Sequence, residues 1–327
     1  MSRVRATLAF LALLIGIWSG RLLVRLTPRR LLLDLFEALA DMTYRLFRGY
    51  RERSARNVET ALAKLPPGGS AAVVRGSLRS FFRSFAEVGF AVESDLPAIR
   101  AEIPTAGLEH LHAALGKKQG VIVLSAHLGN FLMLGTRLAA EGLPVHVLIN
   151  HPRGGPVGDL ADRYREKVGQ RTIHSRPRKE AFSELTEVLR QNGIAVVIAD
   201  EFRSGSGVQV SFFGRTVIAR RGPATLALRT GAAVVPAALL HGENGALRLE
   251  IDPEIDLCRT GDIKADVAEN TRRMTRWLEK TVAAHPDQWN WFTVHWQDTD
   301  PPAQPQKDFY PAPAAKAGGD KPEEETR

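Results

Sequence analysis

From Pro104 onward the chain alternates short runs of β-branched and small apolar residues with longer segments of helical periodicity. The runs fall at 121–124, 145–149, 195–199, 233–235 and 247–251. The helical segments fall near 132–141, 158–168, 178–191 and 223–230. Runs this short, rich in β-branched residues, are strands. A strand followed by a helix followed by a strand favours parallel pairing. This grammar predicts an α/β domain built on a mixed, largely parallel sheet flanked by helices. A Val-Gln-Val-Ser-Phe-Phe-Gly segment ending at Gly214, then Arg215-Thr-Val-Ile-Ala219, predicts a hairpin that leads into a helix with Pro223 near its start.

The N-terminal part follows different rules. Residues 6–20 are uncharged and strongly apolar, with Arg3 and Arg5 on one side and Arg21 and Arg25 on the other. The run is shorter than the roughly 20 residues of a perpendicular span. Snorkelling arginine stems lengthen the segment that lipid can bury. Residues 1–26 are therefore read as an N-terminal membrane helix, with an interfacial helix or a cleaved signal as alternatives. A single amphipathic helix is expected over 29–53, where Leu32, Leu35, Phe36, Leu39, Met42, Leu46 and Phe47 recur at three- and four-residue steps. It either packs on the core or lies against lipid. Further helices are expected over 71–94 and 262–284. One domain should cover 27–298. The Pro-, Ala-, Lys- and Glu-rich segment 299–327 should be a disordered tail.

Composition narrows the function. With 44% hydrophobic and 24% charged residues among 327, a sizeable core is possible. The single cysteine, Cys258, excludes an internal disulfide, and the nine histidines lack paired ligand spacing, so no metal or other cofactor is expected. The net charge of +8 suits an anionic membrane, nucleic acid or an acidic carrier protein. Arginines dominate the first 56 residues and alternate with apolar runs, not with aromatic stacking platforms. That favours a membrane surface and argues against nucleic acid.

The chemistry concentrates at Val121-Ile-Val-Leu-Ser-Ala-His-Leu-Gly-Asn-Phe131. A buried strand ends, His127 follows, then Gly129 and Asn130 precede a helix. Strand carboxyl ends in α/β sheets collect catalytic groups. A neutral imidazole there can take a proton from a hydroxyl. Gly129 would let substrate approach closely, and Asn130 would cap the helix or hold a carbonyl oxygen. Asp200 and Glu201 stand at the end of another buried strand. His285-Pro-Asp-Gln-Trp-Asn-Trp291 forms an aromatic, turn-rich segment. Taken singly, these read equally well as a structural histidine, a cap and helix termini.

As an ordered set, these pieces resemble the lipid A late acyltransferases (the lauroyl/myristoyl acyltransferase family), which also includes mycobacterial phosphatidylinositol mannoside acyltransferases. The resemblance is carried by Arg56-Asn-Val58, Ala126-His-Leu-Gly-Asn-Phe131, Arg165-Glu-Lys-Val-Gly169, Asp200, Phe212-Phe-Gly214, Gly222-Pro-Ala-Thr-Leu-Ala-Leu-Arg-Thr-Gly-Ala232 and Pro286-Asp-Gln-Trp-Asn-Trp291. It implies a glycerolipid-acyltransferase-like fold. It implies transfer of a fatty acyl chain from an acyl carrier protein or acyl-coenzyme A thioester to a lipid acceptor's hydroxyl, at the cytoplasmic face of the cell inner membrane. In the family, the histidine of an H-x4-D/E motif is the base, and the acid five positions on orients it. His127 takes the base position, but Leu132 stands where the acid belongs. The sequence leaves three explanations: an inactive lipid-binding or assembly protein, a slow enzyme, or an acid supplied from elsewhere, with Asp200, Glu201 and Glu87 as candidates. Asp200 is preferred, because its strand can neighbour the one that ends before His127. Asn130 is expected to face the oxyanion. Arg165, Arg220 and Arg221 are expected to hold phosphate groups.

Overall fold

A computed structural model describes residues 19–150, 156–202, 207–242 and 244–296. The apolar run that precedes Ser19, and the tail expected at 299–327, lie outside these residues. Among the described residues no helix is long and apolar enough to cross a membrane. The membrane helix expected over 1–26 lies for the most part outside the described residues. Only its last residues, 19–26, are described, and they are helical.

The core is a seven-stranded sheet in the order β1-β9-β8-β2-β5-β3-β4. Its strands are β1 (Thr105–Ala106), β2 (Val121–Ser125), β3 (Val145–Ile149), β4 (Arg171–His174), β5 (Ile194–Ile198), β8 (Ala233–His241) and β9 (Leu247–Ile251). Every neighbouring pair is parallel except β8 with β9. The expected mixed, largely parallel sheet is what forms. β6 (Val208–Phe212) and β7 (Arg215–Ala219) make the expected hairpin, outside the main sheet.

Ten described helices flank the sheet. They are α1 (Arg29–Leu46), α2 (Arg48–Ala61), α3 (Gly69–Glu93), α4 (Leu96–Glu102), α5 (Leu108–Gly116), α6 (Phe131–Ala139), α7 (Pro156–Lys167), α8 (Arg178–Arg190), α9 (Gly222–Thr230) and α10 (Ile263–Ala284). β2 is central and wholly buried. Its side chains alternate between two apolar layers. Ile122 and Leu124 pack with α8, α9 and α10, while Val121 and Val123 pack with α5 and α6. Two-sided burial explains why this strand reads as an unbroken apolar run.

One helix expectation is corrected. The single helix foreseen over 29–53 breaks at Phe47, whose φ of −96° and ψ of 76° leave the helical region. The break exposes carbonyls at the end of α1, and the Arg51 guanidinium satisfies those of Tyr44 and Arg45. The turn lets α2 lie on the C-terminal segment, where Tyr50 stacks on Phe292 with ring centroids 5.0 Å apart. Side-chain periodicity continues through a break of this kind, so the sequence gives no warning of it.

Candidate active site

The turn after β2 carries His127 at the carboxyl edge of the sheet. β5 lies beside β2 in register, Ser125 opposite Ile198, so the two chain segments leave the sheet together. This places Asp200 next to His127. The Asp200 Oδ1 lies 2.8 Å from His127 Nδ1, and Oδ2 accepts the His127 backbone N–H, also at 2.8 Å. A third donor, the Trp289 indole N–H, reaches Oδ2 at 2.7 Å. Burial pushes the Asp200 carboxyl up, but the facing His127 ring and the hydrogen bonds from His127 and Trp289 outweigh it. The net effect holds the group below the usual carboxylate range. An ionised carboxylate only accepts, so the shared proton belongs to His127 Nδ1 and the basic lone pair to Nε2. Asp200 is sealed from water while the His127 side chain is 30% exposed.

The segment carrying Trp289 is threaded against this turn. Gly129 N–H donates to Gln288 O, and Asn290 N–H donates to His127 O. Trp289 O accepts from Ser77 Oγ, Trp291 O from Asn57 Nδ2, and the Trp296 indole donates to Asn57 Oδ1. Phe212 packs on Trp289 and Phe202 beneath Asp200. Several segments that carry the family resemblance thus meet around one histidine, though they are far apart in the chain. Trp289 as a direct partner of Asp200 was missed from the sequence. Its signal was present only as a word in the Pro286–Trp291 segment.

The remaining expected residues have other surroundings. Gly129 has φ +56°, and a Cβ there would sit 2.2 Å from Leu239 O. The glycine admits the β8 backbone, not substrate. Asn130 is fully buried. Its Oδ1 caps α6 at Met133 N–H, its Nδ2 donates to Glu87, and its N–H donates to Leu239 O. Contrary to expectation it organises the turn and does not face an oxyanion; the N–H groups of His127, Gly129 and Asn130 are likewise committed within the protein. Leu132 lies half-buried on the first turn of α6, and its carbonyl accepts from Gln170. Glu87 is engaged with Asn130, His241 and Arg83, away from the His127 ring. Glu201 is half-buried.

Arg165 lies on α7 and pairs with Asp162 at 2.9 Å; Asp162 also faces His174 at 3.2 Å. Burial pushes Arg165 below the usual guanidinium value, opposed by Asp162. α7 packs on β4, three strands from β2, or about 14 Å across the sheet. The Asp200 contacts given above, to His127 and Trp289, do not include Arg165. Arg220 and Arg221 stand where β7 passes into α9, with Arg221 at the N-cap and exposed. The far end of α9, at Gly231, meets Gln119 below the start of β2. The arginines therefore lie toward the same edge of the sheet as His127. Among the described residues no cluster of His, Cys, Asp and Glu has the makings of a metal site.

The family profile described as bacterial lipid A biosynthesis acyltransferase matches residues 2–298. A phosphatidylinositol mannoside acyltransferase of Mycolicibacterium smegmatis is 26% identical over 284 residues, covering 86% of this chain and 90% of that protein. One from Mycobacterium tuberculosis is 27% identical over 286 residues, covering 85% and 86%.

Proposed function

Because the chain belongs to the bacterial lipid A biosynthesis acyltransferase family, we propose that it moves a fatty acyl chain from a carrier thioester to a lipid hydroxyl, with His127 as general base. The observation that carries this reading is the buried Asp200 carboxylate held 2.8 Å from Nδ1 of a partly exposed imidazole. Nε2 takes the proton of the acceptor hydroxyl, and the oxygen attacks the thioester carbonyl. The tetrahedral intermediate then collapses and expels the thiolate, which recovers the proton from the imidazolium. The products are one ester and one thiol. Asp200 keeps the tautomer and steadies the imidazolium as it forms. The alternative, an inactive lipid-binding or assembly protein, rests on Leu132; the Asp200 carboxylate beside His127 supports the enzyme reading over it.

Arg220 and Arg221 would receive phosphate groups of the donor or acceptor at the start of α9. Arg165 remains a candidate for a more distant contact. The donor is an acyl carrier protein or acyl-coenzyme A. The names of the family and the relatives suggest two acceptors, a lipid A precursor and a phosphatidylinositol mannoside. The inner membrane, on its cytoplasmic side, is the proposed place of reaction. Exposed Leu22, Leu23, Leu26, Leu31, Leu46 and Phe47 support lipid contact, with the exposed Arg30 and Arg45 nearby to meet anionic headgroups.

The test supplies each donor with each acceptor and reads ester formation against thiol release. Equal amounts of ester and thiol are expected from one pairing. Failure of all four pairings would count against the transferase reading. A chain lacking residues 1–26 should float less with anionic vesicles, leaving weak, salt-sensitive binding. Full, salt-resistant flotation would remove that segment from the membrane argument.

A further inference from the structure

A second buried charge lies behind the His127 turn. Glu87, on α3, is 2% exposed. Its Oε2 accepts from Asn130 Nδ2 at 2.7 Å and faces His241 Nε2 at 2.9 Å; its Oε1 accepts from Arg83 Nε at 3.1 Å. The other His241 ring nitrogen faces Ser80 Oγ at 3.2 Å, and the backbone of His241 is clamped on both sides by the Gln288 amide. Gln288 O in turn accepts Gly129 N–H. One carboxylate thus ties α3, the cap of α6 and the end of β8 to the two residues that follow His127-Leu128.

Resting on the reading of His127 as the base, we propose that Glu87 is a positioning residue for it, acting through Asn130 and the Gly129–Asn130 turn. The turn has two anchors. Asp200 holds its front, at the His127 ring and backbone N–H. Glu87 holds its back, through the Asn130 amide. A helix cap alone needs only the Asn130 oxygen, which Met133 N–H already uses. The amide bond to Glu87 adds a constraint that capping does not require. Buried ion pairs are weak devices for stability, and in some proteins they serve to fix one conformation. Here the conformation fixed is the one that sets His127 against Asp200, and ångström-scale misplacement of a reacting group can cost about 100-fold in rate.

The experiment uses the full-length chain, with 15N-labelled histidine, and the deshielded Nδ1 proton of the His127–Asp200 hydrogen bond, identified by its loss in His127→Ala. Glu87→Gln removes the charge. Asn130→Ser keeps a capping oxygen and removes the amide. In both, the resonance is expected to shift or broaden, and turnover with an acyl-coenzyme A and a phosphatidylinositol mannoside, or with whichever of the four pairings gives product, to fall about 10- to 100-fold with KM little changed. An unmoved resonance with wild-type turnover in either folded variant overturns the proposal. Failure of both variants to fold also overturns it, because the network would then be structural. Turnover of His127→Ala tests the base itself, separately from the resonance.

Discussion

Two of the molecule's histidine–carboxylate pairs share their chemistry and differ in everything around it. In His127–Asp200 the carboxylate is sealed and the imidazole partly open, with one ring nitrogen on the acid. In His241–Glu87 both partners are buried, and each ring nitrogen already has a partner, Ser80 on one side and Glu87 on the other. The first pair stands in the turn at a parallel strand's carboxyl end. The second bridges an antiparallel strand end and a long helix. A histidine beside an acid is therefore not a catalytic signature by itself; exposure of the imidazole, 30% for the His127 side chain against 8% for that of His241, separates the two pairs.

That contrast can be broken by experiment. His127→Ala should lower turnover by about 10⁶-fold, as loss of the base does in triad enzymes, while the melting temperature barely moves. Comparable turnover in the variant would erase the distinction. His241→Ala should do the reverse. It strands a buried carboxylate and should cost about 3 kcal/mol of stability, read by denaturant unfolding, with a much smaller loss of turnover than His127→Ala. Gly129→Ala, which joins the two regions, forces a Cβ into the Leu239 carbonyl at a left-handed φ. It should destabilise by about 1–3 kcal/mol; a neutral effect would mean the β8 backbone can retreat. The smallest effect concerns acid. The folded-state carboxyl of Asp200 lies below its ordinary value, so its contribution to stability is present above about pH 4 and is lost as pH falls through the depressed value. The stability gap between the native chain and Asp200→Asn should therefore narrow on acidification; a gap that widened would contradict the assignment.

What the sequence made legible follows from which physics is local. Strands β3 and β9 stand at the expected bounds, and β2 and β5 within a residue of them; the two-sided burial of β2 and β5 shows as an unbroken apolar run, and the one-sided burial of β9 as alternation, with Leu247, Leu249 and Ile251 buried and Arg248 exposed. β4, Arg171-Thr-Ile-His174, did not stand out, since an edge strand of mixed polarity carries no such mark. The break at Phe47 was hidden because the apolar spacing runs on through it, and the contact that accompanies it, Tyr50 stacked on Phe292, joins residues remote in sequence. In the site, the neighbourhood of Asp200 and His127 could be inferred from two strand ends. The fates of Gly129 and Asn130 could not, because both are decided by β8 and α3, elements remote in sequence. Trp289 and Asn57 were visible as letters in motifs, but their partners were not.

The central claim is that Asp200 supplies the carboxylate missing at Leu132. The most direct measurement compares turnover of Asp200→Asn and Leu132→Glu with that of the native chain, using whichever donor and acceptor give product. Asp200→Asn should fall by about 10³- to 10⁴-fold, since the amide can no longer hold the imidazolium. Leu132→Glu should bring no gain, because the Nδ1 position is already taken. A mild effect of Asp200→Asn together with a manyfold gain from Leu132→Glu would contradict the account and leave His127 a base without its acid.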